Sequence, residues 1–194
     1  MDLLQRGRTR AEFEQFVASH VDRLLRAGFL MTGDPVEAED LVQECLLQVA
    51  RRWPRVRRMD HPGAYARRIL VNLALRGAAQ RNRRAAEIDA PGVAGLRTQA
   101  DLGRDFDIKL ALIDALGLLA PRQRAIIVLR YFEDLSVAEV ADLLGCSAGT
   151  VKSTASRGLV RLRDVLEEPD AEDCDGSEGS ASQRKGALPR DREI

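Results

Sequence analysis

The 194-residue chain has few of the residues that build metal centres, disulfide frameworks or β-sheets. It contains two histidines and three cysteines, an odd number with no Cys-x-x-Cys spacing. We therefore expect neither a zinc site nor a disulfide framework, which favours a reducing, cytoplasmic location. Aromatic residues make up only 4% of the chain, and no long segment alternates with period two, so strands are not predicted.

Long apolar runs and catalytic motifs are also missing. No stretch of about 18 apolar residues is present, so we expect no membrane-spanning helix and no stable membrane insertion. The first residues lack an apolar core followed by a small-residue cleavage site, which argues against a secretory signal. No Ser/His/Asp set, paired-carboxylate motif or phosphate-cradling glycine loop occurs, so we predict neither an enzyme nor a cofactor.

The formal net charge is zero, with 30 basic and 30 acidic residues, but the charge is unevenly distributed. The net charge is +6 over residues 1–84, and −5 over residues 167–194. Residues 51–84 alone hold 11 arginines and one acid, Asp60, a density that favours an anionic partner. Arginine outnumbers lysine 27 to 3, which fits forked phosphate contacts or a GC-rich genome equally well.

Apolar residues recur at steps of three and four residues, which predicts an all-α fold. Asp34 is the expected N-cap of one helix, with Glu37 reaching back as in a capping box, and Pro54 ends that helix. Trp53 lies on its inner face, which favours a core position over stacking on DNA. The next helix begins after Pro62. Its predicted inward residues are Tyr65, Ile69, Leu70 and Leu73.

Two small helical domains are predicted, over residues 11–84 and 106–166. Periodicity fades between them, where Pro91-Gly92 and two further glycines indicate a flexible linker over residues 85–105. Residues 167–194 are acidic and rich in Ser and Gly, which predicts a disordered tail. The tail either keeps the chain soluble or covers a DNA-binding surface in the free protein, which would be the arginine-rich segment or the helix-turn-helix predicted below.

The second domain carries a predicted helix-turn-helix. Ser136 and Glu139 form a capping box, Gly145 suits the tight turn, and Ser147 caps the following helix. The inward residues of that helix are predicted to be Val151, Ala155, Leu159 and Leu162. Its outer face is polar and begins with small residues, which lets the backbone approach DNA. The alternative is an ordinary helical hairpin with a solvated face.

Several motifs resemble those of extracytoplasmic-function (ECF) sigma factors of the sigma-70 family. Residues 119–124 (LAPRQR), 129–136 (LRYFEDLS) and 149–153 (GTVKS) are similar to the family's region 4. Residues 38–44 (AEDLVQE), preceded by TGD at 32–34, and 65–72 (YARRILVN) are similar to its region 2. The overall pattern is nearest to the sigma-E-like actinobacterial group. The resemblance implies a region 2 helical bundle and a region 4 helix-turn-helix in a factor for promoter-specific transcription initiation.

The resemblance also implies partners and contact residues. Core RNA polymerase, through its largest-subunit clamp helices and flap, promoter DNA and an anti-sigma factor are the implied partners. The implied polymerase-binding residues are Glu37, Glu39, Asp40, Gln43 and Glu44. Solvation near a helix N-terminus is the alternative for this acidic face, and it explains Glu37 best.

Contacts to both promoter elements follow from the same resemblance. Those implied at −10 are Met59, Asp60, His61, Arg67, Arg68, Asn72, Arg76, Arg81, Arg83 and Arg84. Asn72 would read a base edge, the arginines would hold phosphates, and the loop at residues 59–61 would receive an unstacked base. Residues 76–79 (RGAA) stand where many relatives carry an acid and an aromatic, which leaves the −10 sequence preference open. Those implied at −35 are Gly149, Thr150, Lys152, Ser153, Ser156, Arg157 and Arg161.

Two rival functions fit parts of this pattern. One is a stand-alone helix-turn-helix regulator with a helical sensor or dimerisation domain, which has no use for the acidic helix at residues 39–44. The other is a structural helical scaffold, which leaves the arginine-rich segment unexplained.

Overall fold

A computed structural model describes the backbone of residues 2–88 and 104–167, and the side chains of residues 9–84 and 111–167. All regular structure in these ranges is helical, which confirms the predicted all-α class. The helices are α1 (Asp2–Thr32), α2 (Pro35–Arg51), α3 (Trp53–Val56), α4 (Pro62–Ile88), α5 (Arg104–Gly117), α6 (Pro121–Ile127), α7 (Val137–Leu144) and α8 (Ala148–Glu167). A π-helical turn, Val128–Phe132, continues α6. None of the described helices combines the length and apolarity needed to cross a membrane.

The start of α2 confirms one predicted cap and corrects another. The Asp34 carboxylate accepts a hydrogen bond from the Glu37 backbone N–H at 2.9 Å, so Asp34 is the N-cap. The predicted capping box is wrong, because the Asp34 N–H is bonded to the Thr32 hydroxyl at 3.3 Å and the Glu37 carboxylate pairs with Arg81 instead. An arginine on the neighbouring helix α4 therefore competes successfully for the Glu37 side chain.

The core of the first domain forms where α1, α2, α3 and α4 meet. Trp53 is buried there, with its ring edge against Phe13 at a centroid distance of 5.2 Å and its Nε1 donating to the Thr9 carbonyl at 3.1 Å. The predicted core position of Trp53 is thus confirmed, and Pro54 lies inside the one-turn helix α3 that follows α2.

Helix α4 turns a slightly different face inward than its sequence predicts. Leu70 is fully buried as expected, but Tyr65, Ile69 and Leu73 are only half-buried. The fully inward positions include small residues, which allow close packing against α1 and α2; they are Ala66, Leu70, Val71, Ala74 and Ala78.

Cys45 lies in this core, where its thiol donates to the Ala66 carbonyl at 3.2 Å. Burial raises the pKa of the Cys45 thiol to about 12, so the thiolate is scarce at neutral pH. We expect iodoacetamide at pH 8 to alkylate the half-buried Cys146 in the native chain and to spare Cys45 until the chain is unfolded. Mass spectrometry of tryptic peptides measures both sites; equal native rates would contradict this.

The helix-turn-helix of α7 and α8 confirms most of the predicted local structure. Ser136 and Glu139 form the capping box, and Gly145 has φ +61° at the turn. The prediction of one inward residue is wrong, because Leu159 is 37% exposed and Gly158 is buried in its place. A Cβ at position 158 would lie 3.1 Å from the Ile127 side chain, closer than most Cβ contacts, so glycine lets α8 pack on α6 without displacing Ile127.

The predicted linker and tail fall largely outside the described residues, at 89–103 and 168–194. Helix α4 continues through Ile88 and α5 begins at Arg104, so helices extend from both sides into the predicted linker of residues 85–105. Helix α1 likewise begins at Asp2, upstream of the predicted boundary at residue 11. The disorder predicted for the tail remains a prediction.

The two domains pack against each other. Met31, Val71 and Ala74 of the first domain belong to the same buried cluster as the core of the second, which includes Leu116 and Ile126. Arg124 of α6 also donates to the Met31 carbonyl at 3.0 Å. The contact between the domains therefore contains apolar as well as polar groups.

Candidate nucleic-acid and partner interfaces

The acidic face of α2 is presented to solvent by the burial of its opposite face. Glu39, Asp40 and Gln43 are exposed, whereas Glu44 is half-buried and accepts a hydrogen bond from the Gln48 amide at 2.9 Å. Glu37 stands apart, because its carboxylate pairs with Arg81. The described geometry thus leaves Glu39, Asp40 and Gln43 as the most available of the five predicted partner-binding residues.

Two apolar side chains flank these acids, and sequence reasoning missed both. Val36 is 67% exposed and Leu47 is 52% exposed on the same helix. Positions 36, 40, 43 and 47 follow helical spacing, so the signal was available as two apolar residues off the buried face. An exposed apolar pair around an acidic centre suits a helical protein partner better than it suits solvent.

The arginine-bearing face of α4 encloses a shallow pocket of about 310 Å³. It brings together three predicted −10 residues, Arg68, Asn72 and Arg76, all of them exposed. Sequence reasoning missed other lining residues, notably Gln48 of α2 and the pair of Arg52 and Tyr65, whose side chains are hydrogen-bonded at 2.9 Å. The pocket therefore joins three arginines, two amides and an aromatic edge, which suits a nucleotide.

The predicted base-receiving loop lies in a separate cleft of about 630 Å³. Asp60 and His61 line this cleft together with Arg67, while Met59 is half-buried and packs on the core of the first domain. A Cβ at position 63 would come within 2.6 Å of the His20 ring, so Gly63 permits the close approach of α4 to α1. Arg67 and the loop thus lie together, apart from the pocket around Asn72.

The remaining predicted −10 arginines differ in their surroundings. Arg83 and Arg84 are exposed on α4, whereas Arg81 pairs with Glu37 across the first domain. Burial lowers the pKa of the nearby Arg124 guanidinium, and the positive charge of Arg81 lowers it further. Arg81 therefore acts within the fold in this structure, and Arg83 and Arg84 remain available for phosphates.

Arg67 and Arg68 make contacts that the sequence did not predict, because they bind acids of the second domain. Arg67 Nε lies 2.8 Å from Glu133 Oε2. Arg68 donates to the Asp142 carbonyl at 3.2 Å and has a long ion pair of 3.8 Å with its carboxylate. In this arrangement of the domains, the acidic edge of the second domain covers part of the predicted −10 surface.

The outer face of α8 is exposed along its predicted −35 residues. The Ser147 hydroxyl caps the helix by accepting from the Thr150 N–H at 3.1 Å, and it is also 2.8 Å from the Thr150 hydroxyl. Ser153 donates to the Thr150 carbonyl at 3.2 Å, and Arg157 Nε donates weakly to the Ser153 carbonyl at 3.3 Å. The exposed predicted residues are Gly149, Thr150, Lys152, Ser153, Ser156, Arg157 and Arg161. The helix thus offers two cationic groups near its start and keeps its hydroxyls close to the backbone.

No group of three or more His, Cys, Asp or Glu side chains suited to a metal ion occurs within the described ranges.

Comparisons with known proteins match the two domains to two separate family models. The family model described as "Sigma-70 region 2" matches residues 16–84, and the one described as "Sigma-70, region 4" matches residues 109–162. An RNA polymerase sigma-E factor of Streptomyces avermitilis is 39% identical over 159 residues, which cover 82% of this chain and 87% of the relative. The sigma-E factor of Streptomyces antibioticus is 40% identical over the same length.

A more distant relative and a solved structure are also similar to this chain. The ECF RNA polymerase sigma factor SigE of Mycolicibacterium smegmatis is 31% identical over 164 residues, covering 79% of this chain and 61% of the relative. Among solved structures, the sigma factor RpoE of Bartonella quintana, crystallised with the anti-sigma factor NepR, shares the fold with a TM-score of 0.63. It is 24% identical, and the match covers 80% of this chain and 97% of that one. The chain therefore belongs to the sigma-70 family, within its ECF RNA polymerase sigma factors, which direct promoter-specific initiation of transcription.

Proposed function

We propose that the chain binds core RNA polymerase through α2 and reads promoter DNA with α4 and α8. This proposal rests on the presence of three chemically different surfaces. They are an exposed acidic face on α2, an arginine-bearing pocket on α4, and a capped helix-turn-helix whose recognition face is exposed. These surfaces lie within the segments matched to regions 2 and 4. The domains at residues 11–84 and 106–166 would each serve one promoter element.

At the −10 element, Asn72 would read a base edge in the pocket of α4, with Arg68 and Arg76 on neighbouring phosphates. The loop at residues 59–61 would accept an unstacked base on the first-domain wall of the adjoining cleft, whose opposite wall is formed by the second domain in the closed arrangement. At the −35 element, Lys152 and Arg157 would contact phosphates or guanine edges in the major groove. The polymerase would supply the catalysis, and the chain, as a regulatory protein, would supply promoter choice.

We also propose a cytoplasmic site of action, since the polymerase and its template are there. An anti-sigma factor remains a proposed partner, supported by the shared fold with the sigma factor crystallised with NepR. The clamp helices and the flap of the polymerase are the proposed docking sites for the first and second domains. The stand-alone regulator is disfavoured, because it does not use the exposed acids of α2.

The direct test is reconstitution of the full chain with core RNA polymerase, followed by run-off transcription on genomic fragments. We expect the chain to co-migrate with core in gel filtration and to start transcripts at defined positions that core alone does not use. Core alone and the chain alone are the controls. A chain that neither joins core nor produces defined starts would refute the proposed function.

A further inference from the structure

The contact between the two domains centres on one buried carboxylate. Glu133, which follows the π-helical turn of the second domain, is 6% exposed and is the one buried charged side chain among those described. Its Oε2 lies 2.8 Å from Arg67 Nε and 2.9 Å from Arg23 Nε, both on the first domain. Arg23 also donates to the Glu133 backbone carbonyl at 3.1 Å, so both the side chain and the backbone of Glu133 are held.

Further acids of the second domain extend this contact along α4. Asp142 of α7 binds Arg68, and Glu139 lines the cleft that contains Arg67 and the loop at residues 59–61. The acids are therefore arranged along the predicted −10 surface, where promoter phosphates would also need to lie. A carboxylate and a phosphate oxygen satisfy an arginine in the same way, so both cannot occupy one guanidinium edge at once.

We propose that this closed arrangement is a self-inhibited form of the chain, in which Glu133 and Asp142 occupy the arginines that promoter phosphates need. This inference rests on the proposed function, since it assigns Arg67 and Arg68 to DNA. DNA at the −10 surface and closure by the second domain are then mutually exclusive. The apparent affinity of the free chain for DNA is then the affinity of the open form multiplied by the fraction of molecules that are open.

The sharpest test uses Arg23, which holds Glu133 but is not among the proposed DNA contacts. The Arg23→Gln variant loses a positive charge, so charge alone predicts weaker binding to DNA. If Arg23 serves to keep the chain closed, its loss instead tightens binding of the full chain to a fluorescent single-stranded oligonucleotide by about fivefold or more. Arg26→Gln, an exposed arginine on the same helix, is the matched control and should leave binding unchanged or weaker.

A second variant acts from the other domain. Glu133→Gln should tighten oligonucleotide binding by at least as much, and should increase the radius of gyration in X-ray scattering. Glu12→Gln is its control, because Glu12 also pairs with an arginine of residues 51–84, Arg57, at 2.8 Å, but within the first domain. Circular dichroism confirms that each variant is helical before it is compared.

The outcomes separate the two proposals. Tighter binding by Arg23→Gln and Glu133→Gln, with neither control matching them, supports self-inhibition. Unchanged or weaker binding by both variants overturns it, as does an equal gain in Glu12→Gln, even when run-off transcription with core succeeds. Failure of run-off transcription by the unaltered chain refutes the proposed function. Domain closure is then decided by the X-ray scattering measurement alone.

Discussion

The Asp40→Arg variant should bind core RNA polymerase about ten- to a hundredfold more weakly than the unaltered chain. Asp40 is exposed at the centre of the acidic face of α2, between the exposed apolar side chains of Val36 and Leu47. Reversing its charge puts a cation at the centre of the acidic surface that we propose for the clamp helices of the polymerase, so the electrostatic complementarity of this contact is lost. A titration of fluorescently labelled chain with core, repeated at two salt concentrations, measures the loss.

The control for this variant is Asp22→Arg, which makes the same charge change at an exposed acid on α1. We expect its affinity for core to stay within about threefold of the unaltered chain, because a remote surface charge acts mainly through screened long-range forces. Both variants should unfold at nearly the same temperature, since neither side chain is buried. Equal losses in the two variants would contradict a specific polymerase contact at Asp40.

The Arg157→Ala variant should reduce run-off transcription from a promoter with an intact −35 element by about tenfold. Arg157 is exposed on the outer face of α8, where its Nε makes a long hydrogen bond of 3.3 Å to the Ser153 carbonyl, so its guanidinium can turn toward a guanine edge or a phosphate. Loss of a forked arginine contact to a base costs about 1–3 kcal/mol, whereas Lys152→Ala should weaken binding more evenly across sequences.

Arg163→Ala is the matched control, because Arg163 is exposed further along α8 and has only a long ion pair of 3.9 Å with Glu167. Its transcription should change little. Scrambling the −35 sequence should abolish the difference between Arg157→Ala and the unaltered chain. If Arg157→Ala remains as defective on the scrambled promoter, its role lies in phosphate contact or in folding and not in sequence recognition.

Local signals in the sequence predicted local structure well. Ser136, Gly145 and Ser147 occur where the chain must cap or turn a helix, and each has the predicted role because capping depends on residues only three positions away. The same local logic failed at Glu37, whose carboxylate had a stronger charged partner on a distant helix. Capping patterns cannot report such competition, since the competing arginine lies 44 residues further along the chain.

Inward-facing residues were predictable only to within about one position. Sequence periodicity favoured Leu159 because leucine is apolar, whereas the structure buries Gly158, where α8 approaches Ile127 so closely that an added side chain would have to displace it. Hydropathy alone does not register a requirement for small size. The same limit explains α4, where alanines occupy much of the buried face and the larger Tyr65 and Leu73 lie at its edge.

The residue types of the candidate site were predictable from the sequence, but their distribution between two separate cavities was not. The sequence grouped Arg67 with Asn72 because both lie in one motif, yet the structure puts them in different cavities on α4. Glu133 was missed as a functional residue, because its importance arises from the packing of two domains. Its motif, at residues 129–136, was noted only for its similarity to region 4.

The π-helical turn at Val128–Phe132 sets the direction in which Glu133 points, and domain closure depends on that direction. A π turn accommodates one residue more than an α turn, and each residue rotates a helix by about 100°. The turn therefore sets the direction in which the chain leaves α6, with Glu133 facing the first domain and Asp134 at φ +54°. Loss of one residue in this turn would aim the carboxylate elsewhere and leave the proposed DNA-contact residues unchanged in identity. Insertions and deletions at this single turn could thus set how tightly a sigma factor closes on itself without altering the promoter that it reads.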